Sequence, residues 1–181
     1  MIKKGSLLIA EPNIFTENNF SRSVILLVEH NQSGSVGFIL NKKLEYSTKE
    51  LLPDLKYKFP IYNGGPVEKK NLYFIHNKPK LIKNSFEIKN GIYWGGDFTT
   101  LKNSINENKI KIDDIKFFIG YSGWEENQIE EEMNSSSWII KNESLSHELL
   151  HSCNNIWRET IIKQGGDYLI WANLPENPNY N

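Results

Sequence analysis

The chain has 181 residues, 39% of them apolar and 24% charged, a composition that excludes disordered and fibrous classes and fits one globular unit. Its net charge of −1 lacks the basic excess that phosphate contacts demand, which argues against direct binding to duplex DNA. No apolar run approaches the ~20 residues of a membrane-spanning helix.

The single Cys153 excludes an internal disulfide and fits a reducing compartment. The apolar run Leu7–Ala10 is cut by Glu11 and is too short for the core of a signal peptide, so a cytoplasmic protein is expected. Arginine occurs only at Arg22 and Arg158, against 19 lysines. That scarcity draws attention to both positions, because the planar arginine fork makes paired hydrogen bonds that lysine cannot.

In chain order, Ser6–Ala10 reads as a short buried strand ended by Pro12, with a polar loop over Asn13–Asn19. Ser23–Glu29 is an unbroken run of Val, Ile and Leu, the mark of a strand covered on both faces. The turn Asn31-Gln32-Ser33-Gly34 and the return strand Val36–Leu40 complete a β-hairpin over 23–40. Thr48–Leu52 reads as a short helix capped by Ser47 or Thr48. Ile61–Tyr62 leads into the tight turn Asn63-Gly64-Gly65-Pro66, and Leu72–His76 and Gly91–Trp94 are further strands.

Asp97 caps a helix running to about Asn108, with Phe98, Leu101 and Ile105 on one face. Ile115–Tyr121 is a strand that turns at Ser122-Gly123 into a Glu-rich helix from about Glu125 to Met133. Trp138–Ile140 is a strand, and 142–152 is ambiguous. A last helix runs from about Asn155 to Gln164 and stops at Gly165-Gly166, and the two-proline tail PENPNYN (175–181) is extended. Strands and helices mix without strict βαβ alternation. The fold class is therefore α+β: a single domain over 1–181, with a curved, mostly antiparallel sheet flanked by helices.

Several blocks together resemble the YqgE/AlgH family of bacterial proteins. They are GSLLIAEP (5–12), FSRSVILLVEHNQSGSVGFILNKKL (20–44), NGGPV (63–67), the strand Leu72–His76, GYSGW with Gln128-Ile129-Glu130 (120–130), Ser137-Trp138, Trp157, and the closing Asn177–Asn181. The resemblance implies a compact α/β domain with a strongly bent sheet. It implies no established activity, no cofactor and no catalytic set. One member gave the family the label of transcriptional regulator, which names no DNA-binding motif. Where the family has Gly-Pro-Gly, this chain has Glu125-Glu126-Asn127; Asn127 still accepts a left-handed conformation, and the two added carboxylates oppose phosphate.

The candidate binding residues are Arg22, Glu29, His30, Asn31, Asn41, Gly64, Gly65, Tyr121, Trp124 and Gln128. In a hairpin over 23–40, Glu29, His30 and Asn31 sit at the turn end, while Arg22 and Asn41 meet at the open end, so they form two groups. Arg22 with Asn41 and the Gly64-Gly65 turn suits a grip on a carboxylate or phosphate. The competing reading has Arg22 bridge carbonyls or carboxylates and the turn residues satisfy backbone groups. Tyr121 and Trp124 line a pocket or simply pack.

Two short motifs invite chemistry. His147-Glu148-Leu149-Leu150-His151 matches a zinc-hydrolase string, but Asn154 and Trp157 stand where further ligands would be, and burial of Leu149 and Leu150 explains the segment. Trp94-Gly95-Gly96-Asp97-Phe98 imitates a cyclase loop with one acid missing. The expectation is a non-catalytic binding or regulatory protein acting on an unknown protein or small ligand. The alternatives are a small-molecule enzyme near Arg22 and Gly64-Gly65, using His30 or His76, or a zinc hydrolase at 147–151.

Overall fold

A computed structural model describes residues 1–12, 19–142, 147–150 and 153–174. Those residues form, in chain order, β1 (Leu7–Ala10), β2 (Val24–Asn31), β3 (Gly34–Ile39), β4 (Lys43–Ser47), α1 (Thr48–Leu51), β5 (Pro60–Asn63), β6 (Val67–His76), β7 (Phe86–Lys89), β8 (Ile92–Trp94), α2 (Phe98–Asn106), β9 (Ile115–Trp124), α3 (Gln128–Asn134), β10 (Trp138–Lys141), α4 (Ile156–Gln164) and α5 (Tyr168–Asn173). The strands make one sheet in the order β10-β1-β2-β3-β9-β6-β8-β7, with the β4–β5 hairpin joined through β5 to β9. All pairs are antiparallel except β5 with β9, so the fold is α+β with a mostly antiparallel sheet.

The sheet is bent but not closed. Lys4, just before β1, donates from Nζ to the Glu87 carbonyl of β7 at 2.8 Å, although the two strands lie near opposite ends of the sheet order. Bending lets both faces of the central strands be covered. Along β2, Val24, Leu26 and Val28 pack with Phe38, Leu40 and Trp157. Ile25 and Leu27 pack on the other side with Ile39, Trp124 and Trp138. This is why the Ser23–Glu29 segment has no polar alternation. Each such fully buried side chain contributes roughly 1.5–3 kcal/mol. A third cluster joins Phe59, Ile61, Phe74, Leu101, Ile105 and Phe117 beneath α2.

Local signals act as the chemistry requires. Ser47 and Glu50 cap α1 reciprocally, and the Asp97 carboxylate accepts from Thr100 N at 2.7 Å to cap α2. The GGDF string is thus a helix start. Asn127 is left-handed, with φ 61°.

Other boundaries differ from the sequence reading. GYSGW is not a strand-turn-helix corner: β9 runs on through Trp124 because Ser35, Val36 and Gly37 of β3 pair with Trp124, Gly123 and Ser122. β6 begins at Val67, and β4 and β7 lacked clear periodic patterns. The sequence reading places no element between Gly166 and the tail; α5 forms there, and its Ala172 carbonyl accepts from Arg158 Nε of α4 at 3.2 Å, while the tail 175–181 lies outside the described residues. In α2, Leu101 and Ile105 are buried but Phe98 is exposed.

Candidate functional site

The two ends of the β2–β3 hairpin have different environments. At the open end, the Asn41 side chain accepts from Val24 N at 2.9 Å and donates to the Arg22 carbonyl at 2.8 Å. It holds Arg22, whose backbone is left-handed with φ 55°. The guanidinium donates to the Leu174 carbonyl at 2.8 Å and lies 5.0 Å over the Trp157 ring. Arg22 therefore ties the hairpin to α4 and the end of α5.

The Gly64-Gly65 turn is packed by backbone. The Gly64 carbonyl accepts from Ile39 N at 3.0 Å and from Ser122 Oγ at 3.1 Å. A Cβ on Gly64 would stand 2.2 Å from the Gly120 oxygen, and one on Gly65 2.3 Å from the Tyr121 carbonyl. Backbone atoms therefore fill the Cβ side of both glycines.

The turn end is open. Glu29, Asn31, Ser33, Ser35 and Val36 of the hairpin, Val67 of β6, Tyr121, Gly123 and Trp124 of β9, and Glu125 and Gln128 beside α3 line a groove of about 520 Å³, within the size range of ligand sites. It gathers Glu29, Asn31, Tyr121, Trp124 and Gln128 from the sequence candidates. Arg22, Asn41, Gly64, Gly65 and His30 do not line it. Ser33, Gly34, Ser35, Val36, Val67, Gly123 and Glu125 also line it and were not among the candidates.

A register shift between Leu27 and Glu29 puts Glu29 opposite Val36; such bulges re-aim side chains. The half-buried Glu29 carboxylate makes no hydrogen bond or ion pair among the described residues.

The floor and one wall are fixed by Glu132. Its Oε2 accepts from Trp124 Nε1 at 2.9 Å and Trp138 Nε1 at 2.7 Å, and its Oε1 accepts from Gln128 Nε2 at 3.1 Å. Gln128 Oε1 in turn accepts from Glu125 N at 2.9 Å. His30 lies behind, with Nδ1 2.8 Å from Ser35 Oγ and Nε2 3.8 Å from Glu130 Oε1.

The remaining histidines are elsewhere. His76 is fully buried, with Nε2 3.2 Å from the Gly95 carbonyl and Nδ1 accepting from Lys78 N at 3.1 Å. Burial lowers its pKa to about 4, so the ring is neutral. His147 begins a 3-10 turn over His147–Leu150 in which Leu149 and Leu150 are buried; His151 lies outside the described residues. Among the described residues no group of three His, Cys, Asp or Glu converges as a metal site.

The core contains a polar group that sequence reading missed. Lys116 of β9 is 1% exposed. Its Nζ donates to Cys153 Sγ at 3.2 Å and lies 3.8 Å from the centre of the Tyr62 ring. The Cys153 thiol donates to the Leu40 carbonyl at 2.9 Å. Burial depresses the lysine pKa and raises that of the cysteine. The available signal was Lys116 in Ile115-Lys116-Phe117-Phe118-Ile119, one lysine within a strand apolar on both faces.

The mostly antiparallel sheet with its flanking helices defines a class of α+β fold known from solved structures. A protein from Corynebacterium diphtheriae superposes with a TM-score of 0.73 at 18% identity, over 96% of this chain and 93% of that one. The solution structure of AlgH from Pseudomonas aeruginosa gives 0.70 at 23% identity, over 96% and 95%. At these identities they establish the fold.

Sequence establishes the family. The AlgH-like family model matches residues 7–169. A UPF0301 protein of Cytophaga hutchinsonii is 38% identical over 183 residues, covering 100% of both chains. One of Chlorobaculum parvum is 37% identical over 182 residues, covering 100% of this chain and 97% of its own. The chain belongs to the AlgH-like family, and its likeness to these bacterial relatives names no activity.

Proposed function

We propose that the protein is a non-catalytic cytoplasmic recognition protein whose groove takes a cationic segment of a protein partner. The observation that carries this is the chemistry of the lining. Glu29 and Glu125 supply carboxylates, Asn31 and Gln128 supply carboxamides, Tyr121 and Trp124 supply aromatic surface, and among the described residues no lysine or arginine lines the groove. Glu29 has no partner among the described residues, and a lysine or arginine of a ligand would complete it. The same acidity repels phosphate, so any part in transcription runs through a protein and not through DNA.

The arrangement at the other candidates supports a role without bond making. Arg22 is engaged with Leu174 and Trp157, and neutral His76 is enclosed, so neither is placed for proton transfer to a substrate in the groove.

Calorimetric titration with a short lysine-rich peptide, and with a glutamate-rich peptide of equal length, tests this. The basic peptide should bind with affinity that falls with salt, and Glu29→Gln with Glu125→Gln should weaken it about tenfold or more, about 1.4 kcal/mol. Equal binding of both peptides, or unchanged affinity in the double variant, would refute the assignment. A pull-down comparing wild type with that variant then finds the partner.

A further inference from the structure

We propose that Lys116 and Cys153 form an oxidative modification site, at which peroxide joins the lysine nitrogen covalently to the cysteine sulfur. The two atoms are 3.2 Å apart, and each residue is 1% exposed. No carboxylate pairs with Lys116 among the described residues. An enclosed amine without a counter-ion favours its neutral form, which carries the lone pair a nucleophile needs. The amine is therefore already placed where a sulfur electrophile would arise.

The chemistry balances with peroxide as the only co-reactant. The Cys153 thiol attacks one peroxide oxygen, the O–O bond breaks, and a sulfenic acid and water result. The Lys116 amine attacks that sulfur, an S–N bond forms, and the S–O bond breaks to release a second water. Sulfur is oxidised by two electrons, and hydrogen peroxide is reduced by two. A second equivalent of peroxide gives the link with one bridging oxygen, S–O–N, and one further water.

Proximity decides which product wins. An amine held beside the sulfenic acid intercepts it before a second oxidant molecule arrives from bulk, because the intramolecular step has a very high effective concentration. Oxidant reaches the enclosed sulfur only through local opening, so the first step is slow and accelerates in mild denaturant. Either link also removes the thiol proton now given to the Leu40 carbonyl, next to Asn41 and the Arg22 tie. The modification thus acts on the junction between the central strand β9, the end of β3 and the segment leading into α4.

The test uses the full chain, hydrogen peroxide and intact mass, followed by proteolytic mapping. Wild type should lose two hydrogens (S–N), or gain one oxygen while losing two hydrogens (S–O–N). Mapping should join the peptides holding residues 116 and 153, and thiol reductant should restore the starting mass. Lys116→Met should give no joined peptide and should carry two or three added oxygens on Cys153. Wild-type protein that shows only those added oxygens, or that stays unmodified under doses that oxidise its methionines, would overturn the assignment. The wild-type measurement decides the matter even if the variant does not fold.

Discussion

Replacing Lys116 by methionine should stabilise the protein, and the gain should shrink as pH rises. Stripping an ammonium of water costs several kcal/mol, whereas the Tyr62 ring 3.8 Å away returns about 2 kcal/mol to a desolvated cation. Desolvation wins, in agreement with the depressed pKa of the buried amine. Methionine has similar length and a sulfur that packs well against Tyr62. Replacing a buried ionisable group by an apolar one of similar volume is worth about 1–4 kcal/mol. With a urea slope near 2 kcal/mol/M, the midpoint should rise by roughly 0.5–2 M.

The pH dependence carries the sign. Between the depressed folded pKa and the ordinary value of 10.5, the unfolded chain binds one more proton at this site than the folded chain does. Wild-type stability therefore rises with pH there, by up to about 1.4 kcal/mol per unit. Lys116→Met lacks this slope, so its advantage should narrow from about pH 7 to about pH 9; Cys153, which ordinarily titrates near 9.0, is present in both proteins and largely cancels in the comparison. Urea denaturation of both proteins at the two pH values measures it. A less stable variant, or a difference flat in pH, would refute the reasoning, the second by showing a cation retained in the core.

Three further outcomes follow from the geometry. His76, lowered by burial from 6.5 to about 4, is bound neutral. Stability should therefore be full above pH 6.5 and fall by about 3 kcal/mol as pH drops to about 4; acid denaturation of His76→Gln should lack that limb. Asn41→Ala removes a donor and an acceptor serving Arg22 and Val24 and should cost about 1–3 kcal/mol in denaturant unfolding. Gly64→Ala puts a methyl 2.2 Å from the Gly120 oxygen, a backbone clash that should cost about 4 kcal/mol or leave no folded protein by circular dichroism.

The parts of the fold legible in the sequence were those with strong one-dimensional signals. The unbroken apolar run of β2, the capping residues Ser47 and Asp97, and the NQSG turn all act within a few residues, and all appear as read. The course of β9 beyond Tyr121 was not legible, because Ser122-Gly123 resembles a turn and only pairing with β3 keeps it extended. β7 is held by β8, and α5 by α4; their own sequences are weakly periodic. Half of the candidate site residues meet in the groove, because hairpin geometry alone separates Glu29 and Asn31 from Arg22 and Asn41. Contributions from β6 and β9 depend on a strand order that no local pattern encodes.

The contrast between the hairpin ends gives the sharpest separation of folding from recognition. At the open end every polar group named has a protein partner: Asn41 serves the backbone, and Arg22 holds Leu174. At the turn end Glu29 occupies a half-buried strand position beside Val36 with no partner among the described residues. A carboxylate there loses some hydration on folding and gains no contact, and it interrupts a strand otherwise suited to β-branched residues. Glu29→Val should therefore raise stability by about 0.5–1 kcal/mol while abolishing binding of the lysine-rich peptide. Opposite signs in the two measurements are what a residue kept for recognition produces. A variant that loses stability and keeps its affinity would show Glu29 to be part of the scaffold, and the groove would lose its principal charge for gripping a cation.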